Sequence, residues 1–181
     1  MDSGPGVETQ ENKLSPWVML VEKSVSWGDE RGVEVYHALS QADYVSVLAV
    51  TSDGRIPLVE QYRPGCGEFT LELPGGTLEE GENPDLCAYR ELEEEVGCTG
   101  GKLTFLGTLW PDPGRLMNRL HCFIAEGVVP VGDRWQKEVG LARRFVDKAE
   151  FKILVKESRL SNAHHVAVVG LALANGFLED L

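Results

Sequence analysis

Apolar residues alternate with polar ones along several short stretches of this chain, the period expected of strands with one face buried. PWVMLVEKSVSW and GVEVYHAL read as two such strands, joined by the turn-prone run from Gly28 to Gly32. YVSVLAVTS and RIPLVEQYR flank Asp53-Gly54, a dipeptide that favours a tight hairpin, and FTLEL adds a short strand before the Pro74-Gly75-Gly76 break. KLTFLGTLW, RLHCFIAEG and LARRFV are three further strand candidates. Helical punctuation is clearest in the middle of the chain, where Asn83 suits an N-cap, Pro84 the first helical position and Gly97 the residue just past the end. The spacing predicts two more helices near residues 147–157 and 162–175. Strands, a central helix, more strands and then helices predict a mixed sheet covered by helices rather than regular βαβ winding.

The 181 residues suit one domain, with 43% hydrophobic and 25% charged residues in the ordinary globular range. Residues up to about Ser15 have little to bury and read as a mobile tail, so the domain is expected over residues 16–181, opening with a β-hairpin over residues 16–38. The balance of 17 basic against 29 acidic residues, a net charge of -12, repels phosphate backbones and anionic lipid. Long nucleic acids and membranes are therefore not expected partners. Cys66, Cys87, Cys98 and Cys122 show no CxxC pair and no zinc spacing with the four histidines, and read as free thiols. The first residues lack a basic start and an apolar core, and nowhere do about 18 apolar residues run together, so a cytoplasmic location is the expectation.

The central helix concentrates acid. With Glu91 at zero and about 100° per residue, Glu95 falls near 40° and Glu94 near -60°, so three carboxylates share an arc of about 100°. Leu86, Tyr89, Leu92 and Val96 fall on the other side, which is expected to pack on the sheet. Like charges this close either raise their pKa values or recruit cations, and an oxygen-only cluster suits Mg²⁺ or Mn²⁺ better than zinc.

The whole segment reads GGTLEEGENPDLCAYRELEEEVGC: Gly76, five residues, Glu82, seven residues, Arg90-Glu91-Leu92, any residue, Glu94-Glu95, any residue, Gly97. With every fixed position filled, it resembles the signature of the Nudix hydrolases. That resemblance implies an α/β/α sandwich around a mixed sheet, here with an N-terminal antiparallel β extension, and hydrolysis of a pyrophosphate bond. It implies that Glu91, Glu94 and Glu95 ligate the metal with the backbone carbonyl of Gly75. Arg90 would orient the glutamates through an ion pair, and Gly76 and Glu82 would support the site. A pyrophosphate needs its charge neutralised and a water made nucleophilic, both of which bound metal ions supply. The proton then passes to a base that varies in the family, either a box glutamate or an acid from a later loop, for which Glu138 is the candidate.

Before the box, LVEQYRPGCGEFTLELPGG resembles the ADP-ribose pyrophosphatase branch, in which QYR, a glutamate before the proline, and PxG recur. Arg63 and Glu72 occupy those positions, and Arg63 would offer fixed donors to phosphate oxygens. Pro113 stands near where the branch keeps a proline. PWVMLVEKSVSW resembles the branch's opening strand, which in several members pairs two subunits, so a homodimer is expected, and Trp17 or Trp27 could stack on the base. PDPGRLMNRLH departs from the branch, with Asp112 and Asn118 where SPG followed by a glutamate is more usual, and that loop approaches the terminal sugar in relatives. The implied reaction is Mg²⁺-dependent hydrolysis of a nucleoside diphosphate sugar, ADP-ribose first, to AMP and a sugar phosphate. GDP-mannose, ADP-glucose, NADH and dinucleoside polyphosphates are alternatives in the same class. A non-catalytic nucleotide-binding module would be marked by a broken box, and an RNA decapping enzyme would want a basic surface. The adjacent His164 and His165 receive no chemical role from the sequence.

Overall fold

The computed structural model describes residues 4–132, 135–136 and 139–178. The chain forms two compact units, Met1–Ala42 with Trp110–Arg119, and Asp43–Leu109 with Leu120–Leu181.

The first unit is built on an antiparallel sheet of β1 (Gly6–Lys13), β2 (Met19–Ser26) and β3 (Val33–Ser40) in the order β1-β2-β3. This corrects the expected tail. β1 pairs with β2 along its whole length, from Gly6 opposite Ser26 to Lys13 opposite Met19, although all eight of its residues are exposed. Backbone hydrogen bonds rather than side-chain burial hold it, which is why no apolar pattern announces it. The expected two-stranded hairpin is thus a three-stranded sheet. Its β2–β3 turn uses the left-handed backbone of Gly28 and Gly32, at φ 72° and 69°. The segment 110–119 is tied to β3 through Leu39, whose N–H donates to the Arg115 carbonyl (2.7 Å) and whose carbonyl accepts from Met117 N–H (2.9 Å). Within it, Asp112 accepts from Gly114 N–H (3.0 Å) across Pro113, and the buried Asn118 accepts from Gln41 (3.2 Å).

The second unit carries β4 (Tyr44–Thr51), β5 (Ile56–Arg63), β6 (Glu68–Glu72), α1 (Pro84–Val96), β7 (Cys98–Thr99), β8 (Lys102–Leu109), β9 (Leu120–Pro130), β10 (Leu141–Val146), α2 (Lys148–Lys156) and α3 (Ala163–Ala174). β4 runs parallel to β9, which also pairs antiparallel with β7 and β8, while β10, β5 and β6 form an antiparallel set. The period of two sorts β4 between two cores. Val45, Val47 and Ala49 pack with Cys87, Ala88, Leu92 and Val96 of α1, while Leu48 belongs with Phe151 and Leu154 of α2 and Val168, Val169 and Ala172 of α3. The result is the expected mixed sheet between helical layers.

α1 begins and ends where its punctuation predicted. Asn83 accepts from Asp85 N–H (2.8 Å), Pro84 is the first helical residue, and Gly97 closes the helix in the left-handed conformation at φ 60°. A Cβ on Gly97 would also lie 2.6 Å from the Trp135 ring. The four cysteines are free thiols, with Cys66 exposed and the others buried. Among the described residues, no helix is long and apolar enough to cross a membrane.

Candidate active site

The buried face of α1 is not the one its apolar residues suggested. Cys87, Ala88, Leu92 and Val96 pack on the sheet, but Glu91 and Glu95 are buried too, at 8% and 7% exposure, against the loop that precedes the helix, whereas Leu86 and Tyr89 are exposed at 65% and 38%. The packed arc is rotated toward the acids. The apolar and acidic sides of the helix are thus less separated than expected: Glu91 and Glu95 are buried beside the apolar residues, and of the three acids Glu94, with 55% of its side chain exposed, stands toward solvent.

The loop after β6 makes this possible. Val45 N–H donates to the Gly76 carbonyl and Val47 N–H to the Pro74 carbonyl, both at 2.9 Å, which press Pro74–Gly76 edge-on against β4. A Cβ on Gly75 would collide with the Val45 carbonyl oxygen, and one on Gly76 with the carboxylate of Glu91. Two glycines therefore leave the backbone in contact with the helix acids. Gly75 N–H donates to Glu95 (2.8 Å). Arg90 gathers the rest: its Nε and Nη2 donate to both oxygens of Glu82 (2.9 and 3.0 Å), and its Nη1 donates to Glu91 (2.7 Å) and Glu94 (3.0 Å). This fork holds the Glu82 carboxyl down at about 2, helped by the N–H of Glu79, and the glutamates in turn raise the Arg90 pKa.

Glu95 behaves in the opposite way. Burial pushes its carboxyl up to about 8, the Gly75 N–H offsets part of this, and the neighbouring Glu91 charge adds to it. Among the described residues, no three acidic, histidine or cysteine side chains already converge as a closed metal cage. Glu91 and Glu94 are turned to Arg90 and Glu95 to Gly75. The oxygens of Glu91, Glu94, Glu95 and Gly75 form a hard donor set on one wall of a cavity, the chemistry that Mg²⁺ or Mn²⁺ requires.

With its folded pKa raised above the usual 4.5, Glu95 binds more proton in the folded chain than in the unfolded one between 4.5 and about 8. The metal-free protein therefore loses stability from this group as pH rises through that window. A cation that needs the ionised carboxylate displaces the proton. Thermal unfolding between pH 5 and pH 8, with EDTA and with Mg²⁺, should show a Mg²⁺-induced rise in midpoint that grows with pH. A rise independent of pH would contradict it.

The cavity, about 550 Å³, is also lined by Tyr44, Ser46, Arg63, Glu72, Asn162, His164 and His165. Arg63 donates through Nε and Nη2 to both oxygens of Glu72 (2.8 and 2.7 Å), and Thr70 adds a third donor (2.6 Å). Glu72 is 2% exposed; burial pushes its carboxyl up, but the hydrogen bonds from Arg63, His165 and Thr70 outweigh burial and hold it well below the usual range. Burial lowers the pKa of His164, as does the neighbouring His165.

The structure thus brings together Arg63, Glu72, Gly75, Gly76, Glu82, Arg90, Glu91, Glu94 and Glu95. Trp27 and Pro113 instead line a second cavity of about 450 Å³ within the first unit, with Tyr36 and Trp110. There Trp27 donates to Glu34 (2.8 Å) and lies under the Arg31 guanidinium (4.4 Å). Trp17 is 79% exposed and lines neither cavity. Glu138 lies outside the described residues. The sequence reading missed Ser46, His164 and His165. Ser46 did leave a signal, as the lone hydroxyl in the apolar run VSVLAV.

Residues 41–166 match the NUDIX domain family. An ADP-ribose pyrophosphatase of Bacillus subtilis (strain 168) is 45% identical over 82 residues, covering 45% of this chain and 44% of the relative. A methanol dehydrogenase activator of Bacillus methanolicus is 33% identical over 131 residues, 69% of each chain. An ADP-ribose pyrophosphatase of Mycobacterium tuberculosis (strain ATCC 25618 / H37Rv) is 30% identical over 155 residues, 82% of this chain and 74% of the relative. The match thus spans less than half of the Bacillus subtilis protein and about three quarters of the Mycobacterium tuberculosis one. The same fold is found in the crystal structure of an ADP compounds hydrolase, with a TM-score of 0.78 at 21% identity over 95% of this chain and 94% of that one. With the complete box, the mixed sheet between helices and a family match over most of its length, this chain belongs to the Nudix hydrolase family.

Proposed function

We propose that the cavity of the second unit hydrolyses the pyrophosphate bond of a nucleoside diphosphate sugar, ADP-ribose first, releasing AMP and a sugar phosphate. The observation that carries this reading is the placement of the Arg63 guanidinium, whose fixed donors suit phosphate oxygens, in the same cavity as Glu91, Glu94, Glu95 and Gly75. Those four residues would hold Mg²⁺, or Mn²⁺ in its place. Bound there, the cation neutralises charge on the diphosphate oxygens and lowers the pKa of water. The chain's own residues do the rest. Arg90 fixes the directions of Glu91 and Glu94, Glu82 fixes Arg90, and Arg63 meets the phosphate. Water adds to one phosphorus as the bridging P–O bond breaks, and its proton passes to a carboxylate, either a box glutamate or Glu138. Exposed Val33 and Val35, which share one face of β3, support a homodimer formed through the first unit, which light scattering would test.

A substrate panel with Mg²⁺ followed by ³¹P NMR tests the reaction. The panel should hold ADP-ribose, ADP-glucose, GDP-mannose and NADH, because Asp112 and Asn118 depart from the residues more usual at those positions in the ADP-ribose pyrophosphatase branch. ADP-ribose should be turned over fastest, with AMP as a product. Release of no nucleoside monophosphate from any member would sink the reading.

A further inference from the structure

We propose that Ser46, His165 and Glu72 form a positioning chain that fixes the Arg63 guanidinium as a phosphate clamp, an inference that rests on the pyrophosphohydrolase reading of the cavity. Four elements each contribute one member: Ser46 from β4, His165 from α3, Glu72 from β6 and Arg63 from β5. Ser46 Oγ lies 2.9 Å from His165 Nδ1, and His165 Nε2 lies 3.1 Å from Glu72 Oε2. Ser46, Glu72 and His165 are 1%, 2% and 6% exposed.

The donor inventory orders the chain. An ionised Glu72 only accepts, so His165 Nε2 must carry its proton toward it. In the neutral ring Nδ1 is then an acceptor, and the Ser46 hydroxyl fills it. Glu72 receives His165, Thr70 and both nitrogens of the Arg63 fork, enough donors for a buried carboxylate to stay ionised. Two of the five guanidinium N–H donors are used in this fork. Among the described residues no hydrogen bond engages Nη1, and the side chain is 45% exposed on the cavity wall. The buried end of the chain therefore sets the plane in which the free donors are presented. Arg63 would otherwise lose rotamer freedom only on meeting the phosphate, which weakens binding.

His165→Phe keeps a ring of similar size and removes both hydrogen bonds. His165→Gln restores a donor near the Nε2 position, and Ser46→Ala removes only the outer link. His165→Phe should raise KM for ADP-ribose, and Kd for ADP titrated with Mg²⁺, by about tenfold, while kcat changes far less. His165→Gln should recover most of the loss. In the Arg63→Ala background, His165→Phe should raise KM no further, because the clamp it positions is already gone. Nitrogen-15 NMR supplies a readout that needs no substrate: wild-type His165 should be protonated at Nε2, and the Arg63 Nε–H signal should be protected in the wild type and lost in His165→Phe. If His165→Phe does not fold, Ser46→Ala, with a smaller loss in the same direction, and His165→Gln carry the test. Protonation at Nδ1 alone, an unchanged ADP affinity, or additive losses with Arg63→Ala would overturn the proposal. Should no nucleotide sugar be cleaved while the ADP and NMR results hold, the substrate reading falls and the clamp stands.

Discussion

Glu95→Gln should lower kcat for Mg²⁺-dependent release of AMP from ADP-ribose by on the order of 10³-fold while leaving the fold intact. Glutamine has the same shape, and its oxygen can still accept from Gly75 N–H, so the 2.8 Å bond that docks the helix on the loop survives. In the metal-free protein the carboxyl is already pushed up to about 8 by burial, so a neutral side chain suits the site at neutral pH. What glutamine lacks is the negative charge that would bind the cation at the one acid tied to the Gly75 backbone. Glu94→Gln should cost less, since Glu94 is half-exposed and its carboxylate is already paired with Arg90 at 3.0 Å. Steady-state kinetics across a Mg²⁺ titration would separate a loss in kcat from a shift in metal requirement. Full activity of Glu95→Gln would show that the metal assignment is wrong.

Gly75→Ala should destabilise the protein by about 3 kcal/mol, near the upper end of the usual cost of overpacking, and should remove activity with it. The added methyl would meet the Val45 carbonyl oxygen and lie 3.0 Å from Ser46 Cα, both backbone atoms of a central strand. Neither can move without disturbing β4, which is paired to β9 along its length. Gly76→Ala offers a contrast. Its methyl would strike the Glu91 carboxylate, the far end of a side chain that can swing away. It should therefore cost less stability than Gly75→Ala but weaken Mg²⁺ binding by displacing a carboxylate proposed to hold the cation. Urea unfolding midpoints and Mg²⁺ titrations on the two variants check both halves. Equal stability of Gly75→Ala and wild type would contradict the close approach of loop and strand.

Much of the second unit was legible because its strands and helices carry their own local instructions. α1 ends where Asn83, Pro84 and Gly97 place it, and α2 and α3 fall within the predicted windows. The face of α1 was misjudged because the usual rule, apolar side inward, breaks where a site buries charge. Glu91 and Glu95 occupy positions that hydrophobic residues would otherwise take, and Leu86 and Tyr89 are left outside. β1 went unseen for another reason: its partners are backbone groups of β2, and backbone pairing leaves no trace in side-chain type.

The sequence by itself determined the family, the carboxylate box and the chemistry of its donors, since these depend on residue types at short, fixed spacing along one helix and its leading loop. Arg63 and Glu72 were legible from the run LVEQYRPGCGEFTLELPGG, which resembles the ADP-ribose pyrophosphatase branch. Only the tertiary structure decided that Glu91 and Glu95 are buried, that Gly75 must be glycine because β4 lies against it, and that Glu72 is shared between Arg63 and His165. Ser46 and His165 stand 119 positions apart, and His165 and Glu72 stand 93 apart. Spacing that long encodes no geometry until the sheet and α3 have packed, because side-chain direction between distant segments is set by the core between them.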